Sequence, residues 1–230
     1  MGAVPAGRRR ALGLTATRWR AVHLEGTAAA LFDRPWPEPA VPTAWVLEVT
    51  EPAVVLGSTQ PATVVAPGET AVRRRSGGGA VLVEPGGLVW VDVLVPAGDP
   101  LWEADVGRAF AWLGRAWAAA LADVGVAGAT VHAGPLVTTP WSPLVCFAGL
   151  GPGEVTVGGA KVVGLCQRRT RAGALFQSAA LLDWAPARLL DRLDLTGDQR
   201  RRGTVELAGV ARGVAVDPLA LVAALLARLP

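Results

Sequence analysis

Lysine is almost missing from this 230-residue chain: Lys161 is the only one, and arginine supplies the rest of the 22 basic residues. Isoleucine, asparagine and tyrosine are absent, in keeping with the coding bias of a GC-rich genome. The other scarcities exclude whole classes. Cys146 and Cys166 form no Cys-x-x-Cys pair, and with only His23 and His132 beside them they make neither a disulfide framework nor a zinc site, so no metal is expected. A Ser-His-Asp triad would have to rest on one of those two histidines, for which a surface or helix-end place is the simpler reading. No run approaches the ~20 apolar residues that span a bilayer. The basic cluster Arg8-Arg9-Arg10 is followed by no apolar stretch, because Arg18 and Arg20 interrupt it, so neither a signal peptide nor a twin-arginine address is expected. The predicted compartment is the cytoplasm, with no membrane partner. A net charge of +3 is too small to imply nucleic acid. With 51% hydrophobic and 18% charged residues, the chain is no disordered segment.

What is present predicts one α+β domain over residues 1–230: a mixed, mostly antiparallel sheet flanked by helices. Residues 1–13 read as a mobile arm and Thr17–Leu31 as a helix. A Pro-rich connector covers Asp33–Pro42. Short β runs follow (AWVLEVT, AVVLG, ATVVA), each bounded by Pro, Gly or Ser. RRRSGGGAVLVEPGGLVWVDVLVP reads as strand, Gly-rich turn, strand. Residues 101–124 give the clearest helix, with Trp102, Val106, Ala109, Phe110, Leu113, Trp117 and Leu121 at helical spacing. More short strands are expected over 129–182. Pro186 opens a helix striped by Leu189, Leu190 and Leu193, and a last helix starts behind Asp217-Pro218.

Three segments carry candidate chemistry. In Arg73-Arg74-Arg75-Ser76-Gly77-Gly78-Gly79-Ala80-Val81, consecutive glycines allow close backbone approach to an anion, and the arginines offer a clamp for phosphate or carboxylate. No Gly-Lys-Ser/Thr follows, so it is not a P-loop. A flexible hairpin tip with a solvated basic flank is the competing reading. In Gly151-Pro152-Gly153-Glu154 through Gln167, Gly158-Gly159 marks a hairpin turn. Alternation puts Lys161 on one face with Val163, Leu165 and Gln167, away from Cys166 unless a bulge resets the register. Lys161 is either a snorkelling edge residue or a compact ammonium that a guanidinium cannot replace. Cys146 is either a small buried hydrophobe or a nucleophile with a cation close by.

Together these segments resemble the lipoate–protein ligase and octanoyltransferase family, whose catalytic domain is shared with biotin ligases. The resemblance covers roughly residues 20–195. It begins at Ala53-Val54-Val55-Leu56-Gly57-Ser58-Thr59-Gln60. It continues through Arg73-Arg74 and Ser76-Gly77-Gly78-Gly79-Ala80-Val81, and is strongest at Lys161-Val162-Val163-Gly164 with Gln167, Arg169 and Leu181-Leu182. Cys146-Phe147, fifteen residues before the lysine, is similar to the Cys-Phe of the octanoyltransferase branch. Two positions depart from the family: Val83-Glu84 stands where His-Asp is usual, and Gln177-Ser178-Ala179 where His-Gly-Ser is usual.

The resemblance implies transfer of an octanoyl or lipoyl group to the lysine of a lipoyl domain or a glycine-cleavage H-type protein. It assigns catalysis to Cys146, holding the acyl group as a thioester, and to Lys161, which lowers the thiol's pKa and steadies the oxyanion. It assigns substrate or acyl-adenylate binding to Arg73, Arg74, Ser76, Gly77, Gly78, Gly79 and Ala80 of the Gly-rich loop, and to Gly164, Gln167 and Gln177. No covalent cofactor is implied; lipoate or octanoate is substrate. On the transferase route an acyl carrier protein is the donor. On the ligase route ATP and magnesium are required. Ligases of this family generally carry an accessory C-terminal domain, and no such domain is expected after Leu182, where one or two helices are read. A non-catalytic acyl- or nucleotide-binding relative is the third reading, motivated by the missing histidines.

Overall fold

The apolar run Leu88–Pro96 forms β7 and is buried on both faces: Val89, Val91, Val93 and Val95 point to one side, Trp90, Asp92 and Leu94 to the other. The structure, a computed structural model, describes residues 9–11, 18–38 and 40–230. β7 pairs antiparallel with β11 (Gly173–Leu181) over its whole length and with β3 (Thr43–Val49) on its other edge. Around this centre an eight-stranded sheet runs in the order β1-β2-β3-β7-β11-β10-β9-β8. Its remaining strands are β1 (Arg9–Ala11), β2 (Arg20–Gly26), β8 (Ala129–Val131), β9 (Val155–Val157) and β10 (Ala160–Thr170). Among the described residues of this sheet, only β2 and β3 run parallel. A small second sheet has β4 (Ala53–Leu56) between β5 (Ala71–Arg73) and β6 (Val81–Val83). The expected mixed, mostly antiparallel sheet with flanking helices is thus what is found.

The two faces of the main sheet do different work. On one, the β7 valines pack under Leu113, Trp117 and Leu121 of α2 (Ala111–Asp123) and Leu221 and Leu225 of α5 (Pro218–Arg228). On the other, Trp45, Leu47, Trp90, Leu94 and Leu175 meet Ala28 and Leu31 of α1 (Ala28–Phe32) and Val55 and Val83 of the small sheet. The candidate site lies in this second interface. α3 (Pro186–Leu190) and α4 (Gly197–Leu207) pack together beside the small sheet.

Several sequence expectations need correction. Residues 20–26 are strand, not helix: Val22 and Leu24 alternate with Ala21 across the sheet, and pairing with β3 outweighs the weak helical pattern. Helix begins only at Ala28, behind the Thr27 cap, whose hydroxyl accepts from Ala30 N–H. Of the expected arm, Arg9–Ala11 is a strand antiparallel to β2; the rest of that expectation lies outside the described residues. ATVVA makes a 3-10 turn at Ala62–Val64 instead of a strand. α2 starts ten residues later than the periodicity suggests. The Asp99 and Asp105 carboxylates accept from the N–H groups of Leu101 and Arg108, satisfying the backbone without helix. β10 and β11 are long strands, not short ones. Three helices follow Leu182, because α4 is polar and shows itself only by its Thr196–Gln199 capping box.

The charged residue inside β7 needs its own account. Asp92 is fully buried and pairs with Arg34 from the Pro-rich connector, while Trp90 Nε1–H donates to its second oxygen at 2.6 Å. Arg34 also donates to Leu31 O and stacks 4.6 Å above the Trp45 ring. Burial pushes the Asp92 carboxyl above its ordinary range, with Arg34 pulling against it. Removing the guanidinium leaves that carboxylate alone in the sheet. Arg34→Met is expected to cost about 3–5 kcal/mol in urea unfolding. Burial raises the carboxyl's folded-state pKa and Arg34 holds it down, so this loss grows as pH rises above the ordinary carboxylate range, and a loss that shrinks with pH would contradict the assignment.

Candidate active site

β5 and β6 lie on opposite edges of β4, so the Gly-rich segment between them crosses the end of β4 and is no hairpin tip. Its arginines brace it from inside. Arg73 donates to the carbonyls of Gly57 and Gln60. Arg74 is buried and donates to Val55 O at 3.3 Å, Gly77 O at 2.8 Å and Gly79 O at 2.8 Å. In this state both guanidinium groups hold loop carbonyls, where the sequence reading offered them to an anion. With the carbonyls tied back, none of the described residues accepts from the N–H groups of Gly77, Gly78 or Gly79. Gly79 and Gly57 are sterically required, while Gly77 has room for a side chain: a Cβ on Gly79 would sit 2.6 Å from Val145 backbone, and one on Gly57 would sit 1.9 Å from Gly78 O.

The same close approach delivers Cys146. Ala80 N–H donates to Leu144 O at 2.7 Å, and Cys146 N–H donates to Ala80 O at 2.8 Å. Gln60 adds a third tie, accepting from Gly57 N–H and donating to Pro143 O and Leu144 O. The Cys146–Ala148 3-10 turn is therefore sewn to the Gly-rich loop, with the Cys146 thiol 3.9 Å from Arg74 Nη2.

Lys161 arrives from the other side. Gly158 and Gly159, at φ +60° and +84°, make the expected hairpin turn between β9 and β10. The register then slips between Lys161 and Val163, so Val162 and Val163 both enter the core. This bulge corrects the simple alternation: a Cβ on Gly164 would meet Lys161 Cε at 3.4 Å and the Phe147 ring at 3.2 Å, placing Lys161 on the face of Gly164. The ammonium is buried. It pairs with Glu154 Oε2 at 2.7 Å and donates to Cys146 O at 3.2 Å and Gly149 O at 3.0 Å. Sequence reasoning expected it to serve the Cys146 thiol; it grips the main chain of that residue. Glu154 was missed. Its one signal was an acidic residue in the Gly-Pro-Gly turn that precedes the only lysine.

Between the main sheet and the small sheet opens a small, mostly apolar cleft. Phe32, Val81, Val83, Leu88 and Trp90 wall it, and Cys146, Arg74, Gly164, Cys166 and Gln177 also face it. Cys166 and Gln177 are cross-strand partners, bridged by Ser76: its hydroxyl donates to Gln177 Oε1 at 2.6 Å and lies 3.2 Å from Cys166 Sγ. Burial pushes the Cys166 thiol up to about 11. Gln167 stands apart from the cleft, accepting from Arg169 Nε, which in turn reaches the Glu103 and Ala104 carbonyls.

Residues 29–215 match the lipoyl protein ligase A/B catalytic domain. No curated protein matches the chain. Among solved structures, the fold is similar to one from Thermoplasma acidophilum, described as a bi-partite lipoate protein ligase and its E2 lipoyl domain. That match has a TM-score of 0.63 and 18% identity over 82% of this chain and 69% of that one. It is also similar to a lipoate-protein ligase A bound with ATP, with a TM-score of 0.58 and 18% identity over 82% and 71% of the two chains. A T. acidophilum protein with bound lipoic acid matches with a TM-score of 0.55 and 17% identity over 91% and 93%. At these identities the likenesses speak for the fold.

The two cysteines share one cleft but differ chemically. With its pKa near 11, Cys166 has only about one thiolate in a thousand near pH 8. Iodoacetamide at that pH is expected to leave Cys166 unmodified in the folded protein and to label it once the chain is unfolded, as read by peptide mass; ready labelling of Cys166 in the folded state would refute its burial.

Proposed function

The chain belongs to the lipoyl protein ligase A/B catalytic-domain family, enzymes of protein lipoylation, and from that premise we propose that it is a cysteine-dependent octanoyl or lipoyl transferase acting in the cytoplasm. The observation that carries this reading is the Cys146 thiol facing a mostly apolar cleft. In the first step the Cys146 thiolate attacks the carbonyl of an acyl thioester. A new thioester forms on Sγ, and the donor's thiolate leaves. In the second, the ε-amine of the acceptor lysine attacks that thioester, an amide forms, and Cys146 departs as thiolate and regains a proton. Arg74 Nη2 lies 3.9 Å from the Cys146 thiol and is the cation at hand for the oxyanion of both steps, and the unbonded N–H groups of Gly77–Gly79 are candidates to join it. The donor fitting this chemistry is an octanoyl carrier protein or an acylated lipoyl domain. The acceptor is a lipoyl domain or an H-type protein, by analogy with the T. acidophilum ligase described with its E2 lipoyl domain.

A second reading has its own support. The unbonded N–H row of Gly77–Gly79 also suits a phosphate, and one similar structure holds ATP, so an ATP- and magnesium-dependent ligase is the alternative.

Intact mass separates the two. Incubation with octanoyl carrier protein is expected to give an adduct of one octanoyl group that hydroxylamine removes and Cys146→Ala abolishes. Lipoyl-domain modification that needs ATP and survives Cys146→Ala would establish the ligase instead. Lys161→Arg is expected to abolish transfer while the protein stays folded, since a guanidinium cannot enter a pocket of three converging oxygens shaped for an ammonium; full activity in that variant would remove Lys161 from the site.

A further inference from the structure

Both backbone groups of Cys146 are held. Its N–H donates to Ala80 O of the Gly-rich loop, and its carbonyl accepts from Lys161 Nζ. The first hold is a fixed piece of backbone; the second is the tip of a long, flexible side chain. What fixes that tip is Glu154. Its Oε2 meets Nζ at 2.7 Å and accepts from Gly151 N–H at 2.6 Å, and its Oε1 accepts from Leu165 N–H at 3.0 Å. A carboxylate caught at three points is a rigid anchor, and a buried ammonium needs that countercharge to stay charged and in place. From the anchor, one cation reaches Cys146 O, Gly149 O and the Phe147 ring, 5.0 Å from Nζ, spanning the turn that carries the thiol.

We propose that Glu154 is a positioning residue for acyl transfer: acting through Lys161, it sets the placement of the Cys146 turn against the acyl carbonyl. The inference rests on the acyl-transfer reading above. Glu154 does not itself line the cleft; it meets the cleft wall only through the main chain of Leu165, so its loss is expected to fall on the alignment of the reacting sulfur more than on substrate binding. Misplacement of a reacting atom by an ångström costs roughly 100-fold in rate.

Because Lys161 is the only lysine, protein labelled with ε-¹⁵N-lysine gives a single Nζ signal, which reports the anchor directly. Glu154→Gln keeps size and an acceptor but loses the charge. It is expected to move that signal and to lower kcat for acyl transfer roughly 100-fold, with KM for the acyl donor within about twofold. Glu154→Asp, which restores the charge one methylene short, should recover part of kcat. A folded Glu154→Gln protein with unchanged kcat, an unchanged Nζ signal, or a loss confined to KM overturns the proposal. Should the glutamine variant fail to fold, Glu154→Asp decides: lowered kcat at constant KM supports the role, and full kcat overturns it. If the unaltered protein transfers no acyl group from any donor while its Nζ signal still responds to Glu154→Gln, the pairing stands. In that case the acyl-transfer reading is what has failed, and the positioning role falls with it.

Discussion

A cation withdrawn from water has to find an anion, and the burial of Lys161 against Glu154 organises the rest of the site. Meeting that demand takes the bulge in β10, which turns Lys161 towards Gly164 and sends two valines together into the core. It takes the Gly151–Glu154 turn, whose own N–H holds the carboxylate. It takes Gly164 as well, since any side chain there would press on the lysine stem and the Phe147 ring. With these in place the ammonium has two donors left, and both go to the main chain of the Cys146–Gly149 segment. The lysine thus acts first as a clamp on the backbone of the Cys146 turn.

Arginine does the complementary work. Arg74 collects carbonyls from three places, which a planar fork with five donors can do and a point charge cannot. By drawing in the Gly77 and Gly79 carbonyls it leaves the loop's N–H groups unbonded, so a segment often pictured as flexible becomes a polarised wall. Arg34 uses the same capacity elsewhere, joining the connector to Asp92 and to the face of Trp45. Trp36 and Ala40 of that connector pack on the second face of the sheet. The braced loop and the clamped turn that border the cleft are consequences of satisfying buried polar groups between two sheets.

Much of this was legible in the sequence where local chemistry and tertiary context agree. Alternating valines marked β7, Gly158-Gly159 marked the hairpin, and Asp217-Pro218 marked the start of α5. Reading failed where they disagree. Residues 20–26 carry a faint helical stripe that sheet pairing overrides, and Asp105 caps a turn where periodicity suggested helix. α4 escaped notice because a helix with few apolar residues has no stripe to read. At the site, the residue types were legible but their orientation was not. Strict alternation put Lys161 on the wrong face because a bulge leaves no local mark in the sequence.

The sequence alone determined the class of the fold, the family, and the short set of residues from which the site is made, because glycines that must admit a backbone and a lone lysine among arginines are local necessities. Only the tertiary structure decided which of those residues meet. Glu154 finds Lys161, Arg74 finds the glycine carbonyls, and Cys166 finds Gln177 across a strand pair, through contacts between segments far apart in the chain. Burial strengthens every such pairing and penalises every group left out, so the partners are chosen by the enclosed space they share and not by their spacing along the chain.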